Sequence, residues 1–69
     1  MLSQSRVIAK GSRIREVRRL VARYGGQVAK WVKKSSPRIE MDGEYFEIHW
    51  YEHPGLGRFE EKQVRVHRL

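Results

Sequence analysis

The side chains best suited to chemistry fall in two short runs, "FEIHWYE" (residues 46–52) and "GRFEEK" (residues 57–62). In the first, Glu47 and His49 stand two residues apart. In the second, Glu60 and Lys62 repeat that spacing, with Arg58 just before them. On a strand, period two puts such pairs on one face. A histidine can take a proton from a ribose 2′-hydroxyl or return one to a leaving oxygen. A carboxylate can orient that imidazole or serve as the second acid or base, and Lys and Arg can stabilise the charge that builds on phosphate oxygens. Tyr45 and Tyr51 flank the set and offer stacking surfaces for unpaired bases. This is the inventory for phosphodiester cleavage in RNA. Glu47, His49, Arg58, Glu60 and Lys62 are the candidates for such chemistry. The scheme requires no metal and no other cofactor.

Each residue also has an ordinary reading. Alternating Glu and Lys on neighbouring strands form routine cross-strand ion pairs. A lone histidine on a strand is more often a hydrogen-bonded or surface residue than a catalyst. His53, before Pro54, reads as a turn residue, and His67, near the end of the sequence, carries no assigned role. The spacing of His49, His53 and a glutamate fits no zinc-ligand pattern.

For the two runs to meet, they must lie on paired strands, and the pattern supports this from Arg38 onward. "RIEM-DG-EYFEIHWYE" is a strand, an Asp42-Gly43 turn and a second strand; Asp-Gly between alternating runs is a strong hairpin signal. A two-residue turn there pairs Met41 with Glu44 and Ile39 with Phe46. "HPGLG" (53–57) is the next turn and "RFEEKQVRV" a third strand. Phe46, Ile48 and Trp50 form the apolar set of the second strand and are expected to face the helices. Tyr45, Glu47, His49 and Tyr51 are expected to face away. With Phe59 as the core residue of the third strand, Arg58, Glu60 and Lys62 join the open face. The later valines, Val64 and Val66, break that alternation, which a bulge near Gln63 would reconcile.

Upstream, residues 1–11 show no period and read as a lead-in ending at Gly11. "SRIREVRRLVARYGG" reads as a helix with Ser12 as N-cap and Gly25-Gly26 as its left-handed stop. Ile14, Val17, Leu20, Val21 and Tyr24 make one apolar stripe, and Arg15, Arg18, Arg19 and Arg23 lie opposite it. A shorter helix is expected over about 27–34, from Val28, Trp31 and Val32. Lys33 and Lys34 would sit in its last turn, and Ser36-Pro37 would end it. The expected fold class is therefore α+β. One longer and one short N-terminal helix pack on a three-stranded antiparallel meander, four-stranded if one more strand joins. The 69 residues form a single small domain: a lead-in (1–11), a basic helical half (12–34) and a sheet (38–66).

Charge supports a polyanionic partner. The net charge is +7, with ten Lys/Arg against one Glu in residues 1–34 and five Lys/Arg against seven Asp/Glu in residues 35–69. A basic half of this kind attracts phosphate backbones by counterion release, with Lys33, Lys34, Arg15, Arg18 and Arg19 as the expected contacts. There is no cysteine, hence no disulfide and no thiolate metal site. No apolar run approaches the roughly 18 residues of a spanning helix, and the first residues lack the apolar core of a signal peptide.

Taken together, Tyr24-Gly25-Gly26, Trp31 with Lys33, Ser35-Ser36, Asp42-Gly43, Glu47-x-His49-Trp50, and Gly57-Arg58 followed by Glu60 and Lys62 resemble a C-terminal domain of bacterial polymorphic toxins. These are the variable tips of filamentous-haemagglutinin-like, contact-dependent inhibition and Rhs-type proteins. The resemblance covers about residues 12–62. It departs from the pattern at Glu61, where an apolar residue is expected, and at Gln63 and Arg65, which make the far half of the last strand polar. The resemblance implies a domain carried by a secreted or surface-borne parent, acting in the cytoplasm of a target bacterium. A cognate acidic immunity protein would neutralise it in the producer. It also implies a metal-independent ribonuclease similar to the barnase, colicin and RelE-like nucleases, with Glu47, His49, Glu60 and Lys62 as the active set and Arg58 on phosphate. The alternative readings are a non-catalytic nucleic-acid-binding module and a protein-interaction domain.

Overall fold

A computed structural model describes residues 4–66; His67 lies outside the described residues. The class is α+β, with one α-helix and a five-stranded antiparallel sheet. The strands are β1 (Arg6–Lys10), β2 (Val32–Ser35), β3 (Ile39–Met41), β4 (Glu44–His53) and β5 (Gly57–Val66), and the helix is α1 (Val17–Tyr24). Strand β4 is the spine. One of its edges pairs with β5 along nearly its whole length. The other is shared, β3 pairing with its first half and β2 with its second, and β1 adds outside β2. Among the described residues no helix is long and apolar enough to cross a membrane.

The hairpin is as the sequence predicts. Asp42 and Gly43 both have positive φ, and Ile39 pairs with Phe46 and Met41 with Glu44. Upstream, three expectations change. The lead-in contains β1, whose period is hidden by a register shift between Val7 and Ala9. The helix is shorter than 12–24. Residues Gly11–Arg13 make a 3-10 turn, Ser12 makes no capping bond, and Glu16 occupies the N-cap position. The second helix is absent. Val28–Lys30 is a single 3-10 turn and the chain then enters β2. An eight-residue window matches helical spacing easily, whereas an isolated helix of that length is marginal; as a strand, the segment gives backbone partners to both β1 and β4. Its join to β3 is bridged at Ser36. The Ser36 N–H donates to Ile48 O (2.8 Å), and the Ile48 N–H donates to Ser36 Oγ (2.9 Å). The ladder thus continues past Pro37, which has no N–H to give.

Helix α1 lies on one face of the sheet, and that face is the reverse of the expected one. The core is Ile14, Val17, Leu20, Trp31 and Tyr51, with Ala9, Val21, Tyr24 and Phe59 packed against it. Tyr51 belongs to the odd-numbered set of β4, so it is the Tyr45–Glu47–His49–Tyr51–His53 side that meets the helix. Phe46 and Ile48 lie half-buried on the other side. The polar tips on the helix side find partners, which is what allows amphipathic rings to serve as core. The Tyr51 hydroxyl donates to Glu16 (2.6 Å), and His53 Nε2 accepts the Gln27 N–H (3.2 Å) while its ring packs edge-on to Trp31. His53 is thus a buried strand end rather than a turn residue. On the far face, Trp50 is buried under the Arg58 guanidinium, 4.4 Å from its ring centre, and its indole N–H donates to Glu52 (2.6 Å).

The β5 register resolves the broken alternation. Lys62 pairs with His49 and Phe59 with Tyr51, so Glu60 and Glu61 together oppose Trp50. This is a β-bulge, three residues nearer the turn than Gln63. Glu60 takes the left-handed conformation that the bulge requires, with φ of 59°. Beyond it Val64 and Val66 return to the helix-side face, and Glu61 turns to the other, where it pairs with Arg58.

Candidate active site

The short helix covers only one end of its sheet face, where Lys33, Tyr51 and Phe59 lie in register across β2, β4 and β5. The next row, Ser35–His49–Lys62, falls at the helix's edge. A cleft of about 420 Å³ opens there, lined by Glu16, Arg19, Lys33, His49, Tyr51, Glu60 and Lys62 among others.

His49 is held from below by Glu47. The Glu47 carboxylate is nearly buried and receives three groups: His49 Nε2 at 3.0 Å, Ser35 Oγ at 3.0 Å and an Arg6 Nη at 3.2 Å. The His49 contact does most to hold its pKa below the ordinary carboxylate value; burial opposes, and Arg6 and Ser35 reinforce. An ionised carboxylate only accepts. The proton on a neutral His49 therefore belongs on Nε2, and Nδ1 keeps the basic lone pair. This is the geometry of an oriented general base.

Around this pair the cleft's charges divide into engaged and available ones. Glu60 accepts both Arg19 nitrogens (2.8 and 2.9 Å) and the Tyr24 hydroxyl (2.9 Å). Chiefly through Arg19 its pKa falls to about 2. Glu16 is lowered by the Tyr51 hydroxyl, and Tyr51, pushed up to about 12 by burial and then by Glu16, stays a neutral phenol. Among the described residues, Lys33 and Lys62 are in no ion pair. Lys33 Nζ lies 5.7 Å from the Tyr51 ring centre. The cleft thus offers an oriented imidazole and two ammonium groups held in no ion pair, of which Lys33 lies near Glu16 and the Tyr51 ring.

No family model, curated protein or solved structure matches this chain. The site therefore stands on its geometry alone. His49, Glu47, Glu60, Lys62, Lys33 and Arg19 are brought together. Tyr51 is close to them but buried, so it is a wall of the cleft rather than an open stacking surface. Tyr45 shares the face farther along β4, with the Arg38 guanidinium 5.3 Å from its ring centre. Arg58 and Lys34 belong to the opposite face, Arg58 on Trp50 and Glu61, Lys34 on Glu52 at 3.2 Å. The bulge separates Arg58 from Lys62, and Lys34 alternates away from Lys33 once the segment is a strand. Arg15, just before α1, and Arg18, on it, are exposed and outside the cleft.

Three site residues were not singled out for chemistry by their sequence pattern. Ser35 is fully buried beside Glu47, and its only signal was the Ser35-Ser36 pair. Glu16, the one acid in a basic half, anchors Tyr51. Arg6 lay in a segment without a visible period. Among the described residues no group of three or more His, Asp or Glu stands together as a metal site.

Proposed function

We propose that this chain is an RNA-cleaving domain that works without a metal ion, with His49 as the acid/base. The observation that supports it best is the Glu47–His49 contact, with Lys62 in register beside the histidine at the mouth of a cleft. In this scheme Nδ1 of His49 takes the proton of a ribose 2′-hydroxyl. The 2′-oxygen attacks the adjacent phosphorus and the P–O5′ bond breaks. The departing 5′-oxygen takes a proton from the imidazolium or from water, leaving a 2′,3′-cyclic phosphate and a 5′-hydroxyl. Lys62 and Lys33 offset the charge growing on the non-bridging oxygens. Glu47 is a positioning residue. Glu60, ionised and triply bonded, is a clamp between β5 and α1 rather than a proton donor.

The biological setting we propose follows the toxin resemblance: delivery into a target bacterium by a larger parent, and restraint in the producer by an acidic immunity protein. The exposed Arg15 and Arg18, with the rest of the basic half, favour capture of a polyanion.

The deciding experiment is incubation of the purified domain with total cellular RNA, with and without chelator, followed by analysis of the new ends. Cleavage to cyclic phosphates in both conditions supports the scheme, and DNA, lacking the 2′-hydroxyl, stays intact. Loss of cutting in chelator points to a metal nuclease. RNA left whole, but bound in a steeply salt-dependent way, points to a binding module.

A further inference from the structure

Among the described residues no helix lies over the same sheet face beyond the edge of α1, and its make-up there differs from that of the cleft. Tyr45 pairs across β5 with Val66, and Glu47, next along the face, pairs with Val64. The Arg38 guanidinium lies over the tyrosine ring at 5.3 Å. Tyr45, Val64 and Val66 are half-buried and Arg38 is exposed. An aromatic ring beside two valines of the neighbouring strand, with a planar cation over it, combines an apolar surface with a stacked charge. Single-stranded nucleic-acid sites combine those elements, because every base has a π-face to stack.

We infer that Tyr45, Arg38, Val64 and Val66 form a nucleobase platform that holds a base of the RNA strand near the cleaved phosphate. The choice of ligand rests on the RNA-cleaving reading above. Two further observations favour a base over other occupants. The platform is continuous with the cleft, since Val64 lines both. Tyr45 and His49 are four residues apart on one strand, about 14 Å, so one extended strand can occupy both. And Glu40 pairs with Tyr45 across β3, placing an acceptor-only carboxylate at the platform's edge. That carboxylate opposes a phosphate and suits a base edge that presents N–H donors. The RNA backbone then follows Lys62 and Lys33 while a base turns onto Tyr45.

The test uses short all-2′-O-methyl oligonucleotides carrying one 2-aminopurine, which cannot be cut and whose fluorescence is quenched by stacking. Binding and quenching are read for the wild type, Tyr45→Phe, Tyr45→Ala and Arg38→Ala, with the KM for a cleavable RNA alongside. The expected result is wild-type quenching that Tyr45→Phe retains. Tyr45→Ala should lose it, with binding weaker by about tenfold or more, KM raised and kcat little changed. Arg38→Ala, at an exposed position, shows an intermediate loss even where Tyr45→Ala folds poorly. If RNA is cleaved but Tyr45→Ala and Arg38→Ala bind and quench as the wild type does, the platform is wrong. If no RNA is cleaved but quenching depends on Tyr45, the platform stands and the cleavage reading falls.

Discussion

His49 and Lys62 face each other across the β4–β5 ladder because two residues of β5, Glu60 and Glu61, oppose the single Trp50. Without that extra residue, Phe59 opposite Tyr51 would bring Glu61 opposite His49 and send Lys62 to the other face. The proposed chemistry thus depends on a local irregularity, and the irregularity is held by a clamp to the helix.

The proton-transfer role leads to the first expectation. His49→Ala should retain the fold and lose RNA cleavage by about a hundredfold or more, the usual worth of a positioned acid/base. Circular dichroism and cleavage assays on the same sample check both parts. A folded His49→Ala domain that still cuts at the wild-type rate places the chemistry elsewhere.

Glu47 should behave differently, because it supports the structure as well as the histidine. Glu47→Ala leaves Ser35 and Arg6 without their shared acceptor, and its expected cost is about 2 kcal/mol of stability together with a fall in kcat. Glu47→Gln keeps the shape and should recover stability more than activity. Denaturant melts set against single-turnover rates separate the two effects.

Acid should open the β5 clamp. Glu60 has its pKa depressed to about 2, and Glu47 is depressed as well, both from 4.5. For such groups the unfolded chain binds protons first, so their stabilisation is complete above about pH 4.5. It is lost as pH falls from there toward the folded values. The melting temperature should drop across that window, and Glu60→Gln should flatten the drop without shifting stability changes seen above pH 10.

At the alkaline end the sign reverses. Tyr51 is raised from 10.0 to about 12, so the fold favours its neutral form. That contribution is fully present below pH 10 and disappears as pH rises toward 12. Tyrosinate absorbance should show a late step near 12 that is missing in Tyr51→Phe. A titration without such a step in the wild type removes the Tyr51–Glu16 contact from the folded state.

The glycine pair after the helix should not be interchangeable with alanine at its second member. Gly26 has φ of +82°, and a Cβ there would come within 2.4 Å of His53 Nε2. Gly26→Ala therefore carries both a left-handed backbone, costing about 1–2 kcal/mol, and a clash with the buried imidazole. At Gly25, where φ is +93°, the added carbon meets nothing, so Gly25→Ala should destabilise less. Paired thermal melts of the two variants test the ordering.

Much of this architecture could be read from local pattern. The Asp42-Gly43 hairpin and its register follow from turn chemistry and period two. The Val17–Tyr24 stripe follows from helical spacing. Phe59 was legible as core, but simple alternation put it on the face opposite Lys62; only the bulge at Glu60 and Glu61 puts both on the face of Glu47 and His49. The strand identity of residues 32–35 and 6–10 was not legible. Val28, Trp31 and Val32 satisfy helical spacing as well as they serve a turn and a strand, and the bulge at Ile8 erases the alternation of β1.

What the sequence determined by itself is that β4 has two unlike sides, Phe46–Ile48–Trp50 and Tyr45–Glu47–His49–Tyr51, and that a basic amphipathic helix must cover one of them. Which side it covers was decided only by the tertiary structure. Period two separates the faces but carries no information about where an eight-residue helix docks. That choice rests on contacts distant in sequence: Glu16 receiving Tyr51, Gln27 reaching His53, Arg19 and Tyr24 holding Glu60. Those contacts satisfy the polar tips of the odd-numbered set and turn it from an expected outer surface into part core and part cleft.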